Sequence, residues 1–254
     1  DPDFPVVKPR DAATVTLIRD TPNGIEVFVL RRDAGMAFMP QATVFPGGTI
    51  DPRDGAPLPW AGPSPAAWAD LMDTDETMAR RILAAAIREL YEETGVLLAG
   101  PDDHSLVDWP VGQDPTRHAL AAREVSLTEV LTDWNLVLRT DLLTFRCRWV
   151  TDPWADRRYN VRFFCAGLPH GQVADGATSE AEQSGWVNPQ WPLDEAAAGR
   201  QEVSPPTQVQ LELLLAAGSV AAASKQMLLP KPVMLYARQR PDGTWCSYTG
   251  EADC

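Results

Sequence analysis

Three glutamates at positions 89, 92 and 93 form the densest chemical feature of this chain. They sit in the run Arg88-Glu89-Leu90-Tyr91-Glu92-Glu93-Thr94-Gly95. At spacings i, i+3 and i+4 they are neighbours on one helical face. Like charges so placed repel by about 0.2–0.5 kcal/mol per pair. A hard divalent cation would offset that repulsion, because Mg²⁺ takes carboxylate oxygens and substrate phosphates as ligands. Arg88, four residues before Glu92, is placed to orient that carboxylate. Gly95 suits the left-handed residue that closes a helix.

These side chains need a helix to carry them and a backbone to face them. The apolar stripe Leu83, Ile87, Leu90 runs at i, i+4, i+7 and predicts a helix resuming near Asp75. The glutamates lie off that stripe, so one side should pack and the other stay free for metal. Some forty residues upstream stands Val44-Phe45-Pro46-Gly47-Gly48. Without side chains, Gly47 and Gly48 would let backbone groups approach a metal or a phosphate.

Together these residues resemble the signature of the Nudix hydrolases, Gly-x5-Glu-x7-Arg-Glu-hydrophobic-x-Glu-Glu-x-Gly-hydrophobic. The second half is complete from Arg88 to Val96. The first half starts at Gly48, with Asp54 where the signature has its first glutamate. Between Asp54 and Arg88 lie 33 residues where the signature has seven, which implies an insertion of 26. A box split in this way, with the segment Ala37 to Gly48, is similar to the coenzyme A diphosphatase branch. The similarity extends weakly through Arg157-Arg158-Tyr159 and Phe163-Phe164 to Ser204-Pro205-Pro206-Thr207.

The resemblance implies an α/β/α sandwich around a mixed sheet. It implies Mg²⁺- or Mn²⁺-dependent hydrolysis of a nucleoside diphosphate linked to a moiety X. Glu89, Glu92 and Glu93 would hold the metal, and Arg88 would orient them. Glu89, Glu93 and Glu182 are the candidates for the base, with Glu182 preferred over Glu180 because it lies nearer the next strand. Gly47, Gly48 and Arg32 would meet the substrate. A coenzyme A-associated motif has Arg and Gly where this chain has Ala37 and Gln41, so ADP-ribose, dinucleotides and nucleotide-sugars stay open beside coenzyme A. Asp54 and Glu76 are expected at the solvated surface. Two other classes compete: a Nudix-fold sensor that binds a nucleotide without cleaving it, and an interaction module anchored by Trp60, Trp68 and Trp109.

Composition narrows the partners. The net charge of −13 argues against nucleic-acid backbone and anionic membrane. No apolar run approaches the ~18 residues of a membrane span. Cys147, Cys165, Cys246 and Cys254 include no CxxC pair, so a zinc site is not expected. Cys147 and Cys165 fall in strand-like runs and are expected as core thiols, in a reducing cytoplasm. At 254 residues one domain is expected, with insertions at about 52–77 and about 101–135. A homodimer built partly from those insertions is compatible with every reading.

Strand patterns fall at Ala13–Arg19, Glu26–Arg32, Ala42–Phe45, Leu142–Val150, Asn160–Leu168, Gln183–Val187 and Pro232–Arg238. Ser64-Pro65 predicts a short helix to Asp73. Helices are also expected over Thr116–Val125, Leu193–Ala198 and Thr207–Ala217. Ser126 and Glu129 form a capping-box pattern ahead of a helix over Leu127–Trp134.

Overall fold

A computed structural model describes residues 7–33, 35, 41–108, 115–153, 155–177, 181–226, 233–239 and 245–249, the last two segments by backbone alone. Ala37 to Pro40, Trp109 and Glu180 lie outside the described residues, as do the side chains of Cys246 and Cys254.

Strand β1 (Arg10–Thr21) organises the molecule by changing partners along its length. Its C-terminal half pairs antiparallel with β2 (Gly24–Arg32) from Ile18 to Thr21. Its N-terminal half pairs instead with the three-residue β4 (Gly47–Thr49), through Ala12, Ala13 and Thr14. On its other edge β1 runs parallel to β9 (Tyr159–Gly167). The sheet continues through β8 (Thr144–Val150) to β12 (Val233–Gln239) and β13 (Trp245–Thr249). In the other direction it passes through β2 to β3 (Ala42–Val44) and β11 (Glu202–Val203), and β10 (Ala181–Val187) also pairs with β2. Parallel and antiparallel pairs both occur along it, so the sheet is mixed. A separate three-stranded sheet joins β5 (Trp60–Ala61), β7 (Val137–Arg139) and β6 (Ala99–Gly100). The sequence reading missed that small sheet and β4, because runs of two or three residues carry no periodicity.

Alternation along β1 divides the core. Ala13, Val15 and Leu17 face helix α2 (Glu76–Thr94), whose Ile82, Leu83, Ile87, Leu90 and Tyr91 are fully buried. Ile18 joins Val27, Val29, Trp149 and Phe163 under Leu211 and Leu214 of helix α6 (Pro205–Ala217). A helix on each face of a mixed sheet is the α/β/α arrangement expected from the sequence.

Several helices have legible caps. Ser64 caps α1 (Pro65–Met72) and Asp75 caps α2. After α3 (Pro115–Ala121), which is shorter than expected, Ser126 and Glu129 form the capping box of α4 (Leu127–Asp133). Two more are α5 (Gln190–Ala197) and α7 (Val220–Ala223). No helix among the described residues is long and apolar enough to cross a membrane.

Two expectations need correction. The free side of helix α2 is narrower than expected at its C-terminal end: Arg88 and Glu93 are buried, each 7% exposed, while Glu89 and Glu92 stay partly exposed. A 3-10 turn at Pro52–Gly55 and strand β4 pack over the face that the sequence pattern leaves to solvent. Trp68 is not a surface anchor either. It is buried and meets Phe164 edge to face at 6.1 Å between centroids.

Candidate active site

The site is built where α2, β4 and the 3-10 turn meet. Arg88 is its hub. Its Nε donates to Asp54 Oδ1 at 2.9 Å and its Nη2 to Asp54 Oδ2 at 3.1 Å, a bidentate pair. Nη2 also donates to the carbonyl of Thr49 at 3.0 Å. Nη1 reaches Glu89 Oε1 at 2.7 Å and both oxygens of Glu92 at 3.2 Å. Burial alone would lower the arginine's pKa. The carboxylates of Glu89, Asp54 and Glu92 outweigh it and hold the guanidinium firmly protonated.

Asp54 is thus the opposite of a surface carboxylate. It is 5% exposed, and its Oδ2 also accepts the N–H of Asp51 at 2.8 Å in a reciprocal capping box with Asp51. The expectation of a solvated Asp54 failed because the proline-rich context suggested a loose loop. The overlooked signal was Asp51-x-x-Asp54, a cap pattern. Glu76 does lie exposed, in the first turn of α2.

The two glycines serve different purposes. The N–H of Gly47 donates to Glu93 Oε2 at 2.8 Å, which fixes that carboxylate against β4. A Cβ on Gly47 would come within 2.5 Å of the Ala13 carbonyl and 2.7 Å of Thr14 Cα. A Cβ on Gly48 would overlap the carboxylate of Glu89 itself. So Gly47 is required by the β1–β4 pairing, and Gly48 by the side chain that the helix presents.

The structure therefore brings together Arg88, Glu89, Glu92, Glu93, Gly47 and Gly48, and adds Asp54. It does not join Arg32 and Glu182 to that group. Arg32 ends β2 opposite Ala181, and Glu182 is the exposed residue at the register shift between Ala181 and Gln183 in β10. The Nε of Arg32 is buried without a hydrogen-bond partner. Arg158, in the Arg157-Arg158-Tyr159 stretch, donates to the carbonyls of Thr151 at 3.0 Å and Val7 at 2.8 Å.

Among the described residues no three acidic, histidine or cysteine side chains converge on one point. The donor chemistry still fits a hard divalent ion. Every side-chain donor on this face is a carboxylate oxygen, and the Gly47-Gly48 backbone lies against Glu93 and Glu89 with no side chain between.

A cavity of about 310 Å³ opens on the other face of the sheet. Phe45, Trp149, Tyr159, Phe163 and Pro205 line it, with Asp152 the charged residue in its wall. It adjoins the glycines, since Phe45 lies two residues before Gly47 and Thr14, also in the lining, pairs with Gly47.

Comparison with known proteins fits this geometry. The crystal structure of a NUDIX hydrolase from Alicyclobacillus acidocaldarius matches with a TM-score of 0.70 and 26% identity, over 87% of this chain and 98% of that one. In sequence and in fold the chain is similar to Nudix hydrolases. No family model matches it. Among curated Nudix relatives, nudix hydrolase 7 of Caenorhabditis elegans is 27% identical over 206 residues, 81% of this chain and 60% of that protein. The acyl-coenzyme A diphosphatase NUDT19 of Homo sapiens is 35% identical over 105 residues, 31% of this chain and 28% of that one. This chain thus spans less than two thirds of the length of either curated relative.

Proposed function

We propose that this chain hydrolyses the diphosphate of a nucleoside diphosphate linked to a moiety X, with Mg²⁺ or Mn²⁺ as cofactor. The observation that carries the reading is the Arg88 hub, which aligns Glu89 and Glu92 beside a Glu93 tied to Gly47. A helix face that served only solubility would not bury an arginine to hold its carboxylates.

Glu89, Glu92 and Glu93 would hold the metal, which supplies charge neutralisation of the diphosphate and a bound water of lowered pKa. Arg88 orients two of these carboxylates. Asp54 fixes the guanidinium from behind, the part that the signature gives to a glutamate. The Gly47 N–H restrains Glu93, and the missing Gly48 side chain leaves room for the Glu89 carboxylate. Glu89, Glu93 and Glu182 remain the candidates to accept the proton from the attacking water. Arg32, at the β2–β10 edge, is the candidate to meet the outlying part of the substrate.

Coenzyme A or acyl-coenzyme A is the leading substrate, supported by the split box and by the partial similarity to NUDT19. ADP-ribose and nucleotide-sugars follow, because Gln41 stands where the coenzyme A-associated motif has glycine. The buried free thiols Cys147 and Cys165 suit a cytoplasmic setting. Burial pushes them up to about 12 and about 11, which makes them inert core groups.

The test is a panel of coenzyme A, ADP-ribose and a nucleotide-sugar incubated with Mg²⁺ or Mn²⁺, with products identified by mass. Coenzyme A should yield adenosine 3′,5′-bisphosphate, with oxygen from labelled water on phosphorus. Survival of every diphosphate with metal bound would convert the reading to a nucleotide sensor.

A further inference from the structure

The insertion that follows β6 sends one charged side chain into the body of the molecule. Arg117, in the first turn of α3, is 1% exposed. Arginine is rarely buried without partners, so the groups it meets state its purpose. Its Nε donates to the backbone carbonyl of Glu92 at 3.0 Å, and its Nη1 to Asp175 Oδ1 at 2.5 Å. Glu92 lies in the last turn of α2, where carbonyls run out of intrahelical donors. A cation there also faces the negative end of the helix dipole.

Asp175 closes the figure from the other side. It lies in the connection from β9 to β10, and its own N–H donates to the carbonyl of Thr94 at 2.9 Å. Its Oδ1 also accepts the N–H of Ala177 at 3.1 Å. Arg117, Asp175 and the end of α2 thus form a closed ring of hydrogen bonds. The connection is gripped on both sides of Asp175. Gln172 exchanges hydrogen bonds with the N–H and the carbonyl of Leu97, each at 2.9 Å. A Cβ on Gly176 would overlap the side chain of Ser184, which lies in β10 two residues beyond Glu182. The turn after α3 is anchored to the other half of the site. Arg53, beside Asp54, donates to the carbonyls of Arg123 at 2.9 Å and Val125 at 3.4 Å.

We propose that Arg117 is a positioning residue: from within the insertion it holds the carboxylate end of α2 and the strand that carries Glu182 in one fixed arrangement. The inference rests on the reading of Glu92, Glu93 and Glu182 as parts of one hydrolytic site. Helix α2 and strand β10 belong to different layers, and the insertion links them through backbone groups and Asp175, leaving the glutamate side chains to the metal. A guanidinium suits this task, because its planar fork serves two acceptors at fixed angles. The second insertion is then part of the frame of the site.

The test removes the fork in the full chain and reads both ends of the ring. In hydrogen exchange followed by mass spectrometry, without metal, Arg117→Gln should lose protection together over residues 92–96 and 175–187. The β1–β2 hairpin should keep its protection. Mn²⁺ titrated into the folded variant and followed by electron-spin resonance should bind about tenfold more weakly than to the wild type, the worth of a partner standing behind metal ligands. Arg117→Lys keeps the charge and a donor without the fork, and should recover part of both effects. Asp175→Asn, at a partly exposed position, should show the same pattern more weakly and serves if the Arg117 variants do not fold. The double variant Arg117→Gln/Asp175→Asn should be little worse than Arg117→Gln alone, because both changes cut one ring. Loosening confined to α3, unchanged Mn²⁺ affinity in a folded variant, or additive effects of the two substitutions would overturn the proposal. If the wild type binds no Mn²⁺ while both peptides still loosen together, the metal reading fails and the link between α2 and β10 stands.

Discussion

The two faces of the central sheet treat buried charge in opposite ways. On the α2 face, one arginine and three carboxylates are cross-linked, and almost every donor has its acceptor within the protein. On the α6 face, the half-buried carboxylate of Asp152 stands beside aromatic rings with one enclosed oxygen that has no hydrogen-bond partner. The first arrangement is complete in itself and serves to hold geometry. The second is incomplete. A charge that the fold satisfies on every side is a positioning device.

The largest expected effect is on turnover. Glu93→Gln keeps the acceptor oxygen for Gly47 but removes the negative charge offered to metal, so kcat should fall by about two orders of magnitude or more, beyond the loss of one oriented hydrogen-bond donor elsewhere. Unchanged melting alongside near-wild-type turnover at saturating Mg²⁺ would remove Glu93 from the metal site.

Stability separates the faces next. Arg88→Leu strands Asp54, Glu89 and Glu92 without their cation, and breaking a buried ion pair in this way costs about 3–5 kcal/mol. Asp152→Ala removes a carboxylate that has no such network and should leave the denaturation midpoint nearly unchanged. Urea titrations of both variants check this; equal losses would erase the distinction between the two charges.

The glycines sharpen the comparison further. Gly47→Ala meets backbone at Ala13 and Thr14, which cannot swing aside, so both stability and activity should drop. Gly48→Ala meets only the end of the Glu89 side chain, so it should lower activity while costing little stability. Thermal melts and initial rates measured side by side distinguish the two.

The smallest effect is in acid. Hydrogen bonds from the Arg53 side chain, working against burial, hold the Asp51 carboxyl down at about 2 from an ordinary 3.8. A depressed carboxyl stabilises the fold above its unfolded pKa and ceases to do so as pH falls through the folded value. The melting temperature should therefore decline between about pH 4 and pH 2 by a slightly smaller amount in Asp51→Asn than in the wild type. Superimposable acid profiles would show that the Asp51 cap does not support the turn that holds Asp54.

Much of this was legible in the sequence for a physical reason. The α2 glutamates, the Gly47-Gly48 turn, the Ser64 cap and the Ser126–Glu129 box are local patterns whose meaning depends on spacing alone. What was illegible depended on distant packing. That Asp54 is buried follows from Arg88 arriving across 33 intervening residues. That Trp68 is core follows from a contact with Phe164, almost a hundred residues away. The aromatic cavity joins Phe45, Trp149, Tyr159 and the Ser204–Thr207 turn, and no short window along the chain contains more than two of them.

The span between Asp54 and Arg88 also bears on the polymer physics of the chain. Lengthening a flexible connection from seven residues to 33 adds little closure entropy, about 0.6 kcal/mol per doubling or ~1.4 kcal/mol in all. Helix α1 docks on α2 within that span and returns buried surface through Trp68, Ala69 and Met72. The two halves of the site thus meet as the ends of a ring that is closed by an ion pair and filled from inside by its own helix. An insertion of this size adds mass at almost no thermodynamic penalty, and its length is free to drift so long as both ends of the ring keep their charges.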